Sequence, residues 1–64
     1  MTHDEWAKAV RKELKNRNEK VYKMAANLDR SHEWAYQVIS GRCINKTAVQ
    51  MISEYLGIKN YLEE

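Results

Sequence analysis

The 64-residue sequence has no proline, no phenylalanine, two glycines and one cysteine. With proline absent and glycine confined to positions 41 and 57, most of the turn signals of β-hairpins are missing, which leaves an all-helical chain. The lone cysteine, Cys43, closes no intramolecular disulfide, so a small core goes without a staple and a reducing compartment suits the chain. Its thiol is expected to be half-buried and inert in a loop. No apolar run approaches membrane-spanning length, and no basic segment leads into an apolar one. The expectation is a cytoplasmic protein with no membrane partner.

An excess of charge of one sign is also lacking. Lysine and arginine total 11 against 9 aspartates and glutamates, a formal net charge of +2, which permits nucleic acid as a partner without demanding it. His3, His32 and Cys43 lack the spacing of a metal site. There is no glycine-rich phosphate loop, and no paired carboxylates or Ser/His/Asp set can be nominated for catalysis. No enzymatic activity, metal, cofactor or small-molecule ligand is therefore expected.

What is present is 44% hydrophobic and 31% charged residues, enough for one core and a solvated face. Domains this small bury only about 60% of the surface their unfolded chain exposes, so a single domain over residues 1–64 is expected. Thr2 and Glu5 form a T-x-x-E capping box, followed by Trp6, Val10 and Leu14 at i, i+4 and i+8, with Ala7 and Ala9 beside them. Lys8, Arg11, Lys12 and Lys15 fill the rest of that helix's circumference, and Trp6 falls in the core. Asn16-Arg17-Asn18 ends the helix, because asparagine tolerates the left-handed conformation.

A second, short helix spans Val21 to Leu28 with Val21, Met24, Ala25 and Leu28 inward. Lys20 is a poor cap for it, so either Asn18 caps it two residues early or its first turn frays. Ser31 caps a third helix that ends at Ser40, with Ala35, Val38 and Ile39 inward, Trp34 at their flank and Gly41 as a left-handed terminator. Asn45 caps a fourth, with Ala48, Ile52, Tyr55 and Leu56 inward and Val49 and Met51 at the margins. Gly57 closes it, and Ile58 supplies the apolar contact of that end. Lys59 to Glu64 adds at most one turn. The fold class is all-α, with four helices and a short fifth as the alternative.

The residues from Met24 to Arg42 carry a resemblance. Met24-Ala25, Leu28, Ser31, Ala35, Val38 and Ser40-Gly41-Arg42, followed by KTAVQMISEYLGI, resemble the lambda-repressor-like (XRE or Cro-type) helix-turn-helix family, especially its small prophage and mobile-element members. The similarity runs from Trp6 to Ile58. Small Ala25 is its most physical part, since two steeply crossing helices need a small side chain where their backbones approach. The chain departs from the pattern at Asp29, in place of the turn glycine, and at Arg30, in place of an apolar residue. It departs again at Glu19 and Lys20, in place of an apolar residue and a polar cap.

The resemblance implies a transcriptional regulator that binds duplex DNA as a homodimer on paired half-sites, with the helix from Ser31 to Ser40 in the major groove. It places His32, Glu33, Tyr36 and Gln37 at base edges. Gln37 suits adenine, Glu33 accepts from cytosine N4, His32 donates to a purine or a phosphate, and Tyr36 meets a phosphate or a thymine methyl. Phosphate contacts fall to Lys20, Tyr22 and Lys23 on the crossing helix and to Ser31, Ser40, Arg42 and Lys46 around the recognition helix. Each residue also has a plainer role. Glu33 suits the first turn of any helix, and Tyr36, Gln37 and the lysines suit any solvated face. Asp29, Glu33 and the low net charge motivate the alternative of a protein-interaction module on the same scaffold, for example an antagonist of a repressor or host protein.

Overall fold

A computed structural model describes residues 1–63, and the capping box stands at its start. Glu5 N–H donates to Thr2 Oγ1 at 3.3 Å and Thr2 N–H donates to Glu5 Oε1 at 2.9 Å. The bonds from Thr2 hold the Glu5 carboxyl below its ordinary pKa. Helix α1 spans His3–Asn16, α2 Val21–Asn27, α3 His32–Ser40 and α4 Lys46–Leu56. No strand occurs among the described residues. The C-terminal segment forms one 3-10 turn, Tyr61–Glu63, and the last residue of the expected extra turn, Glu64, lies outside the described residues.

All four helices end on a left-handed residue. Asn18 (φ 56°), Asp29 (φ 61°), Gly41 (φ 86°) and Gly57 (φ 68°) follow α1 to α4 in turn. In each case the next N–H reaches back five residues: Glu19 to Leu14 O at 2.9 Å, Arg30 to Ala25 O at 2.8 Å, Arg42 to Gln37 O and Ile58 to Ser53 O at 3.0 Å. These are Schellman-type ends, which satisfy carbonyls the helix leaves open. Asn18 is thus the terminator of α1 and not the cap of α2. Lys20 occupies that cap position without a side-chain bond.

The core is built from Trp6, Ala7, Val10 and Leu14 of α1, Met24 and Ala25 of α2, Ala35, Val38 and Ile39 of α3, and Ala48, Val49, Ile52 and Leu56 of α4. Four expectations are corrected here, for Val49, for Tyr55, for Val21 with Leu28, and for Cys43. Val49 is fully buried rather than marginal, and Tyr55 sits at the rim rather than inside, because α4 is rotated so that positions 48, 49, 52, 53 and 56 face inward. Val21 and Leu28 pack against the core only in part, since a seven-residue α2 turns just its middle fully inward. Cys43 is exposed, not half-buried, because the linker from Arg42 to Asn45 runs over the surface.

The rotation of α4 also buries Ser53, whose hydroxyl accepts from Trp6 Nε1–H at 2.9 Å. That bond satisfies the one polar atom of the largest core side chain. Elsewhere, polar latches join the helix ends. Arg17 donates to the terminal carbonyls of α4, at 3.2 Å to Tyr55 O and 3.1 Å to Leu56 O. The Tyr55 hydroxyl donates to Glu19 Oε2 at 2.5 Å and accepts from Asn27 Nδ2 at 2.8 Å. Its bond to the Glu19 carboxylate pushes the Tyr55 phenol above its ordinary pKa.

Two measurements check this account. Ser53→Ala strands the Trp6 N–H in the core and should cost about 1–3 kcal/mol, lowering the melting temperature by about 4–8 °C per kcal/mol. An unchanged melting curve would show that the bond carries no stability. Asp29→Gly relieves about 1 kcal/mol of left-handed strain and should raise the urea midpoint, whereas Asp29→Val should lower it. The opposite order would mean that the turn is not left-handed.

Candidate nucleic-acid interface

Helices α2 and α3 pack on each other across the turn at Leu28-Asp29-Arg30, with Ala25 fully buried between them. Because Ala35, Val38 and Ile39 take the inner side of α3, its outer side is set as well. His32, Glu33, Tyr36, Gln37 and Ser40 form one exposed stripe at i, i+1, i+4, i+5 and i+8. The four residues named as base readers are therefore neighbours on one surface. Tyr36 is 55% exposed, and the His32 ring meets it edge-on at 6.1 Å between centroids.

The two serines at the ends of α3 differ. Ser31 Oγ accepts from Trp34 N–H at 3.2 Å as the N-cap, which leaves its own O–H free to donate. Ser40 spends its O–H on Gln37 O at 3.2 Å. Lys20, Tyr22 and Lys23 are exposed at the start of α2, with Tyr22 at 62%, and Arg42 and Lys46 are exposed beyond the end of α3. Of these cations, Arg42 borders a cleft with Tyr36, Gln37 and Ser40, and Lys20 borders an adjoining one with Tyr36.

Trp34 leaves the stripe. It is partly buried against the core, beside Asn45, Ala48 and Met51, and the Arg30 guanidinium lies 5.5 Å over its ring. Arg30 is thus a cation resting on an aromatic face. Arg11 and Lys15 are exposed on the solvated side of α1, where their spacing alone suggests no site role. Arg11 borders the same cleft of about 270 Å³ as Tyr36, Gln37, Ser40 and Arg42.

Among the described residues no group of three His, Cys, Asp or Glu side chains is placed to hold a metal, and no helix is long and apolar enough to cross a membrane. The stripe instead offers donors and acceptors on a rigid helix, bordered by cations.

Ser31→Ala should destabilise the domain by about 1 kcal/mol by removing the cap. Amide exchange at His32, Glu33 and Trp34 should accelerate more than at Val38, because fraying begins in the first turn. Uniform acceleration along α3 would rule out a local capping role. No protein-family model matches this chain, and neither a curated protein nor a solved structure was found to match it.

Proposed function

We propose that this protein binds duplex DNA sequence-specifically, as a small transcriptional regulator of Cro or repressor type, with α3 in the major groove. The observation that carries the reading is the exposed stripe of His32, Glu33, Tyr36 and Gln37 on a helix capped at both ends, with Arg42 and Lys20 in the clefts that border Tyr36. A helix of this width enters the major groove, where each base pair has its own pattern of donors and acceptors. In this reading Gln37 pairs with adenine and Glu33 accepts from cytosine. The bordering cations and Ser31 hold the two phosphate backbones. Two copies occupy paired half-sites of a prophage-type operator.

A titration of labelled genomic duplex fragments at two salt concentrations tests this. Affinity should fall by about 0.9 log units per phosphate contact for each log unit of salt. Arg42→Ala should weaken all sequences alike and reduce that slope by about one, whereas Gln37→Ala should relax preference at one base pair by about 1–3 kcal/mol. Sedimentation of the complex should give two chains per duplex. Absence of binding to any fragment at low salt would end the proposal.

A further inference from the structure

Two clefts join on the flank of the reading stripe. The first, about 270 Å³, lies between Arg11, Val21, Tyr36 and Arg42. The second, about 530 Å³, continues past Tyr36 to Lys15, Lys20 and Tyr22. Arg11, Val21 and Tyr36 border both, so the two form one trough across α1, α2 and α3. Its floor is aliphatic, made by Leu14, Val21 and Ile39. Its rim is cationic: Arg11, Lys15, Lys20 and Arg42 are all exposed, and among the described residues no carboxylate is ion-paired with them. The one carboxylate on the trough, Glu19, is held by the Tyr55 hydroxyl at 2.5 Å.

We infer that this trough docks a short acidic segment of a partner protein. A bulky apolar side chain of the segment enters between Tyr36 and Val21, and its carboxylates meet the surrounding cations. The floor favours this occupant over nucleic acid. A duplex backbone offers phosphates and sugars, which would satisfy the rim and leave aliphatic surface against polar groups. A single strand binds by stacking bases on aromatic faces; the exposed rings of Tyr22 and Tyr36 border the trough, but its floor is aliphatic and offers bases no stacking surface. Tyrosine and arginine around an apolar pocket are what concentrates binding energy in protein interfaces, and opposed charge speeds the encounter. Because Tyr36, Gln37 and Arg42 belong to both the trough and the reading surface, the segment and a duplex exclude each other. That last consequence rests on the DNA-binding reading; the docking does not.

The test uses the full chain and a fluorescein-labelled peptide of alternating glutamate and leucine with one central phenylalanine. The peptide should bind, and a control with alanine at every apolar position should bind about tenfold more weakly or worse. Tyr36→Ala and Arg11→Glu should each weaken the peptide by about tenfold, with the circular dichroism spectrum unchanged because both side chains are exposed. Equal binding of the alanine control overturns the proposal, as does oligothymidylate occupying the trough where the peptide does not. Peptide binding without duplex binding would leave the docking standing and remove the DNA reading. Duplex binding without peptide binding would do the reverse.

Discussion

The left-handed residue at Asp29 is the constraint on which the arrangement of this molecule turns. It ends α2 after seven residues and redirects the chain within Leu28-Asp29-Arg30, so that Ser31 can cap α3 and Ala25 can sit at the helix contact. A chain with two glycines has only two positions where that backbone conformation is free of steric cost. This one needs four, and it uses Asn18 and Asp29 for the others. Their short polar side chains tolerate the conformation better than most, and the bonds from Glu19 and Arg30 N–H to α1 and α2 repay the strain. Helix termination in this protein is a backbone device, repeated four times with different side chains.

Once the ends are fixed, side-chain hydrogen bonds hold the helices in register. Trp6 and Ser53 tie α1 to α4 through the core, and Arg17 covers the last carbonyls of α4 from the other side. His3 does the same for α3. A carbonyl only accepts, so the 3.2 Å contact to Ile39 O places a proton on Nε2, and in the neutral ring Nδ1 then accepts from the Tyr61 hydroxyl at 2.6 Å. A Cβ at Gly41 would come within 3.4 Å of the same imidazole. The exposed stripe therefore lies on a helix fixed by Ser31 at one end and by Gly41 and His3 at the other. Such rigidity is what a surface read by hydrogen bonds requires.

The sequence made some of this legible and hid the rest, for one physical reason. Thr2, Ser31, Asn45, Gly41 and Gly57 act on backbone groups a few residues away, so their roles follow from local chemistry. Apolar spacing defines a stripe on a helix but not its phase to within one residue, which depends on what packs against it. Hence Val49 and Tyr55 exchanged places, and Ser53 turned out to be the partner of Trp6 across 47 residues of chain. Arg11 and Lys15 were hidden in the same way. Nothing local to α1 says that its exposed side borders a cleft with Tyr36. Cys43 differs again, since its exposure follows from the path of a linker that carries no periodicity at all.

Net charge is a poor guide to the electrostatics of the stripe, because the carboxylates are not evenly available. Glu5 is bonded in the cap of α1, Glu13 to Arg17, Glu19 to Tyr55 and Glu54 to Gln50. Glu33 is the one carboxylate on the exposed stripe of α3, while Lys20 and Arg42 border the clefts beside Tyr36. Glu33 lies within the stripe, where the α3 dipole favours its charge. In the proposed reading that placement has a use. A carboxylate facing the groove repels phosphate but accepts a hydrogen bond from cytosine N4, so it weakens nonspecific contact more than it weakens the right sequence. A near-neutral chain can thus discriminate among duplexes while holding none of them strongly by charge alone.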